Sequence, residues 1–203
     1  MDGDTLIDEV NEARKTELSR LGSSKSLYAD TEGEMEPDGV LSAMADSTHH
    51  AASLLADWAD ATDQETFDDA AARERAIHDA IVDEFGSHEP GPRPATVDAM
   101  ADAGETPARL GALVGWTLVA ERKASQTTGF FTGQAKPQVA STFRGFGDEY
   151  EQTREEAVDA LDAVCEETDW EDATAAALAA VGAAYDDYVE TLESLGINPK
   201  PVC

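Results

Sequence analysis

Six polar side chains fall on helix faces that are otherwise apolar. They come from four different predicted helices, near the middle of each, and they are Thr48, Glu74, His78, Glu121, Tyr150 and Thr153. A carboxylate that faces an apolar core costs on the order of several kcal/mol unless it is paired, protonated or bound to a metal. Glu74 and Glu121 are therefore expected to have partners inside the protein.

Two arrangements of these side chains would satisfy the glutamates. In the first, Glu74, His78 and Glu121 supply two carboxylates and one imidazole, a set able to hold a single divalent metal such as iron, manganese or zinc. In the second, Glu74 and Glu121 accept hydrogen bonds from His78, Tyr150 and Thr153 in a closed polar core. The second arrangement needs no cofactor and is the one we expect.

Other reactive residues give weaker signals. His49 and His50 are adjacent, so on a helix they point about 100° apart and cannot simply share a metal. His88 lies in a loop without a predicted partner. Cys165 and Cys203 lie in no CxxC motif, which argues against a thiol redox pair or a zinc knuckle, and without an export signal no structural disulfide is expected. The sequence also contains none of the motifs GxSxG, GxGxxG, HExxH or the phosphate-binding loop. No catalytic residue is predicted.

Helical periodicity runs through almost the whole chain, and no alternating strand pattern occurs. Apolar residues at steps of three and four define four long helices, which predicts an all-α fold with an antiparallel four-helix bundle. We expect a single domain, residues 1–203, with the bundle core at about 37–165. Additional helices at about 4–21 and 170–195 flank it, and the Ala-rich face of the last one should allow close helix contact.

Proline and glycine mark the boundaries of these elements. Pro37 and Pro137 sit where helices begin, and a further helix is predicted from about Pro107 to Gly133. The clearest loop is Gly86–Pro94, with the sequence GSHEPGPRP, because its prolines and glycines cannot continue a helix.

The charge balance is strongly acidic. The 203 residues include 43 acidic and 14 basic side chains, a net charge of −29, while 41% hydrophobic residues provide enough material for a core. The acidity is spread along the chain and Lys is scarce, a bias typical of proteins from halophiles that accumulate salt. Direct binding to nucleic acid is disfavoured, because no stretch concentrates Lys and Arg.

No segment approaches the roughly 20 consecutive apolar residues that span a membrane. The N-terminal sequence MDGDTLIDEV is acidic and lacks the basic and apolar regions of a signal peptide. The sequence therefore predicts a cytoplasmic protein with no membrane association.

Three segments carry a resemblance to a known family. They are ELSRLGSSKSLYADTEGEM at 17–35, GFFTGQAKPQ at 129–138, and the ending YVETLESLGINPKPVC. With them the chain resembles the rubrerythrin-like branch of the ferritin-like superfamily. More specifically, it looks like a group of haloarchaeal proteins labelled rubrerythrin-family or transcription antitermination proteins. The resemblance implies a ferritin-like bundle.

Few of the family's metal ligands are present in this sequence. Di-iron bundles use a Glu from each of two helices and a Glu-x-x-His from each of the other two. The resemblance implies that only two of the six ligand positions keep a ligand, so the metal site is degenerate. The six positions are Thr48, Glu74, Ile77, Glu121, Tyr150 and Thr153.

We therefore expect a non-catalytic binding or regulatory module, with a homodimer or another protein as its partner. The alternative is a rubrerythrin-like metal-binding oxidoreductase or metal-storage protein with rearranged ligands. A third hypothesis, an indirect role in transcription, rests only on the label of the resembling proteins. Phe130, beside Gly129, either marks a partner surface or packs beneath an outer helix.

Overall fold

The computed structural model describes residues 1–200, which form nine helices and contain no strand. The prediction of an all-α fold is confirmed. The helices are α1 (Gly3–Ala13), α2 (Lys15–Leu21), α3 (Ser24–Asp30), α4 (Pro37–Ala61), α5 (Glu65–Phe85), α6 (Ala95–Ala101), α7 (Thr106–Gly133), α8 (Pro137–Val164) and α9 (Asp169–Ser194).

The long helices begin and end where local chemistry predicts. Pro37, Pro107 and Pro137 occupy the first turns of α4, α7 and α8, where a missing N–H breaks no helical hydrogen bond. Gly86 ends α5 with φ +96°, a left-handed conformation that glycine adopts without strain. The segment 87–94 that follows is without helix, as predicted.

The predicted first helix is instead two helices, α1 and α2, separated at Arg14. Arg14 leaves helical geometry, with φ −110° and ψ 22°, and its guanidinium pairs with Glu17 at 3.2 Å. Both helices lie against α9. Leu6 on α1 and Leu18 on α2 are both buried.

Two helical hairpins form the centre of the molecule. Three-residue connections, 62–64 and 134–136, make α4 antiparallel to α5 and α7 antiparallel to α8. The hairpins meet where α5 packs on α8, and α9 lies along α7. Arg73 on α5 joins the hairpins, since its two terminal nitrogens bind both oxygens of Glu156 on α8 at 2.5 Å. None of the helices in residues 1–200 is long and apolar enough to span a membrane.

Small residues let α7 and α9 approach closely. A Cβ atom on Gly111 would overlap the carbonyl oxygen of Ala173, and one on Gly115 would lie 2.6 Å from the carbonyl oxygen of Ala177. The expected close contact along the Ala-rich last helix is therefore present, and glycines of α7 make it possible.

We predict that Gly111→Ala destabilises the protein although alanine is the better helix former. The added methyl group must push α7 away from α9, and such overpacking costs about 1–3 kcal/mol. Gly129→Ala is the matched control on the same helix, because nothing lies within 4 Å of its added Cβ. That variant should gain about 1 kcal/mol from helix propensity. Urea unfolding of both variants checks this, and equal effects would contradict the close approach.

Candidate functional site

Glu74 is the buried carboxyl group of the core. Its side chain projects from α5 and is 3% exposed, and its Oε1 accepts a hydrogen bond of 2.6 Å from the indole N–H of Trp116 on α7. The other oxygen, Oε2, is buried without a hydrogen-bond donor among residues 1–200. One donor for a carboxyl group is too few to hold a negative charge in an apolar interior.

Burial raises the pKa of Glu74 to about 8, although the hydrogen bond from Trp116 acts in the opposite direction. Glu74 is therefore mostly protonated, and neutral, near pH 7. Tyr150 on α8 is also buried, and burial followed by the charge of Glu74 raises the pKa of its hydroxyl well above the usual value. The centre of the bundle thus favours neutral side chains.

A cavity of about 30 Å³ lies between the two hairpins. Thr48 of α4, Trp116 of α7 and Tyr150 of α8 line it together with apolar side chains such as Phe143 and Phe146. A space of this size holds about one or two water molecules. It is too small for a substrate, and the polar residues Ser47, Thr96 and Lys123 also line it.

Glu121 lies outside this centre, contrary to the expected polar core. Its side chain is 36% exposed and pairs with Arg154 of α8 at 2.8 Å. The apolar stripe of α7 correctly predicts that Glu121 faces α8. The side chain nevertheless lies at the edge of the core, where Arg154 reaches it. The expected donors His78, Tyr150 and Thr153 do not bind it.

The two threonines also differ from the expected hydrogen-bonded core. The hydroxyl of Thr48 donates to the carbonyl of Met44, and that of Thr153 donates to the carbonyl of Glu149, each four residues earlier on its own helix. Buried threonines often satisfy themselves in this way. Neither hydroxyl donates a hydrogen bond to the side chain of Glu74 or Glu121.

His78 is directed toward another histidine rather than toward Glu74. Its Nε2 lies 3.4 Å from Nδ1 of His88, and its Nδ1 lies 3.4 Å from a carboxylate oxygen of Asp79. His88 in turn has a partner that the sequence did not predict, because its Nε2 lies 2.8 Å from Oδ1 of Asp46. A loop residue thus reaches α4 across the end of the hairpin.

The three predicted metal ligands Glu74, His78 and Glu121 therefore have three separate partners. Within residues 1–200, no group of three or more His, Cys, Asp or Glu side chains stands ready to hold a metal ion. The hydrogen bond between Glu74 and Trp116 was not predicted from the sequence. The signal that could have found it is the indole N–H, which needs an acceptor when it is buried.

Phe130 and Cys165 are two further candidate residues. Their surroundings make Phe130 less available to a partner and Cys165 less reactive. Phe130 is half-buried against the core and packs edge-to-face on Phe131 with ring centres 5.1 Å apart, so it is not a free apolar side chain. Burial and the charges of Asp169 and Asp162 raise the pKa of the Cys165 thiol to about 11, which keeps it protonated and weakly nucleophilic at neutral pH. Cys203 lies outside the described residues.

Comparison with known proteins adds no assignment. No family model, no curated protein and no solved structure matches this chain. The site must therefore be interpreted from its own geometry.

We predict that Glu74 makes stability depend on pH in an unusual direction. The folded pKa lies above the unfolded value of about 4.3, so the stabilising protonated form is fully present below that value and is lost as pH rises to about 8. Relative to Glu74→Gln, the wild type should lose about 1.4 kcal/mol of unfolding free energy per pH unit between about pH 5 and 8. Urea titrations of both proteins at several pH values measure this slope.

Glu121→Gln is the control for this experiment, because it removes the same charge from outside the core. This variant shows how much of any change in unfolding free energy with pH follows from net charge alone. A difference between wild type and Glu74→Gln that stays constant over this pH range would show that Glu74 is ionised in the folded protein.

Proposed function

We propose that this chain is a ferritin-like bundle whose metal site is degenerate and which serves as a non-catalytic binding or regulatory module. The observation that carries the proposal is the arrangement of Thr48, Glu74 and Tyr150, three positions that match metal ligands in the resembling family. Thr48 and Tyr150 line one cavity between the hairpins, and Trp116, which lines the same cavity, binds Glu74.

The chemistry of this centre suits structure better than metal binding. Metal ions require deprotonated ligands, whereas the raised pKa of Glu74 keeps this carboxyl group protonated near pH 7. The hydroxyl of Thr48 is engaged by its own helix. These observations support a neutral core in place of a metal site.

The rubrerythrin-like oxidoreductase is the competing function, and it requires Glu74, His78 and Glu121 to bind one ion. These side chains instead bind Trp116, His88 and Arg154, respectively. All three contacts would have to break before such a site could form. The geometry therefore favours the non-catalytic module.

Iron binding and oxidation test the proposal directly. Protein purified without chelator or affinity tag is loaded anaerobically with Fe²⁺, exposed to oxygen, and followed by absorbance and elemental analysis. We expect the same slow oxidation in wild type, Glu74→Gln and Glu121→Ala, because none of these carboxyl groups holds iron. Stoichiometric iron or rapid oxidation that is lost in both variants would establish the oxidoreductase instead.

We further propose that the acidic surface is suited to concentrated salt. With a net charge of −29, the folded chain repels itself, and the screening length falls from about 10 Å at 0.1 M salt to about 3 Å at 1 M. The unfolding temperature should therefore rise markedly between about 0.1 M and 1 M KCl. Thermal unfolding followed by circular dichroism measures it, and an unchanged Tm would contradict an adaptation to salt.

A further inference from the structure

All four histidines of the chain meet in one cluster, although they are spread over two helices and a loop. The ring centre of His78 on α5 lies 5.5 Å from that of His49 on α4 and 5.5 Å from that of His88 in the loop. The centres of His49 and His88 are 6.5 Å apart, and His50 stands 5.2 Å from His49. The 203-residue chain contains no other histidine.

Carboxylates hold the outer nitrogens of two of these rings. Asp46 lies 2.8 Å from Nε2 of His88, and Asp79 lies 3.4 Å from Nδ1 of His78. An ionised carboxylate only accepts hydrogen bonds, so each of these outer nitrogens carries the proton and donates it. In the neutral rings, the inner nitrogens, Nδ1 of His88 and Nε2 of His78, then carry lone pairs.

These two inner nitrogens face each other at 3.4 Å. Two lone pairs at this distance repel unless a proton or a metal ion lies between them. Two nitrogen ligands of a tetrahedral ion, each about 2.0–2.1 Å from the metal, are also roughly 3.3–3.4 Å apart. The spacing of His78 and His88 thus already equals that of two metal ligands.

The third ring, His49, stands beside this pair. Three imidazoles on one tetrahedral ion have ring centres roughly 5 Å apart. His49 is within about half an ångström of that separation from His78, but it is farther from His88. As the rings stand, the part of the chain that is described holds no complete three-ligand group, so His49 must rotate toward His88 to complete one.

The loop is held firmly enough to keep His88 in place. Asp46 also accepts a hydrogen bond of 2.6 Å from the backbone N–H of Gly91, and His50 bonds the carbonyl oxygen of Gly91 at 2.9 Å. The side chain of His88 is 3% exposed while that of His78 is 20% exposed, so an ion could enter beside His78.

We propose that His49, His78 and His88 bind one divalent transition metal ion, with water as a fourth ligand and with Asp46 and Asp79 orienting two rings from outside. Imidazole ligands suit zinc, copper and nickel, and outer carboxylates of this kind commonly hold metal-binding histidines. The site goes beyond the function proposed above and does not involve Glu74 or Glu121.

The experiment titrates Zn²⁺ into the full chain against a chromophoric chelator, with excess Mg²⁺ present to occupy surface carboxylates. We expect one ion per chain, bound at least about 10–100-fold more weakly by His78→Asn, by His88→Asn and by Asp46→Asn. Glu121→Gln is the control, because this carboxyl group pairs with Arg154 and is no part of the proposed site, and it should bind Zn²⁺ as the wild type does. Co²⁺ should give the intense visible spectrum of tetrahedral coordination.

The folding of each variant is checked through thermal unfolding, where Zn²⁺ should raise the Tm of wild type and Glu121→Gln but not of His88→Asn. Equal zinc binding in wild type and His88→Asn would overturn the proposal and leave a proton as the bridge between the rings. Equal loss of zinc binding in Glu121→Gln would overturn it as well. Zinc that is lost in Glu74→Gln and kept in His88→Asn would place the ion in the bundle core, which contradicts the proposed function separately.

Discussion

The hydrogen bond between Trp116 and Glu74 is the interaction on which the centre of the molecule depends. It joins α5 to α7 inside a core where Glu74 has no second donor among the described residues and stays neutral because ionisation would be costly. A shift of either helix by one turn would leave a buried carboxyl group and a buried indole N–H unpaired. The pair therefore fixes the register of the two hairpins more strictly than apolar contacts can.

The other constraint comes from α7, which is surrounded by its neighbours. Residues 110–120 are buried on every side of that helix, with α8 and α9 packed along it. Gly111 and Gly115 face α9 closely, while Trp116 reaches Glu74 of the other hairpin. A helix without a solvated face must match each neighbour by shape, which explains why the small Gly115 stands directly beside the large Trp116.

The sequence predicted the long helices well, because apolar periodicity and the prolines at 37, 107 and 137 act locally. It did not predict the partners of the polar residues. Periodicity shows which face a glutamate occupies but not which distant donor meets it, so Glu121 was expected in the core although Arg154 holds it at the rim. The proximity of His49 and His78 could have been predicted from the sequence, since the two residues lie almost equally far along the chain from the turn of the α4–α5 hairpin.

Three of the 14 basic side chains of this acidic chain form ion pairs that join different helices. Arg73 joins α5 to α8, Arg154 joins α8 to α7, and Lys123 joins α7 to Asp30 of α3 at 2.7 Å. The histidine cluster extends this pattern to α4, α5 and the loop. His78 follows Glu74 by about one helical turn on α5. A cation at the histidine cluster would therefore favour ionisation of the neutral Glu74 carboxyl group. The proposed ion-binding site would thus be coupled to the buried core through a single helix.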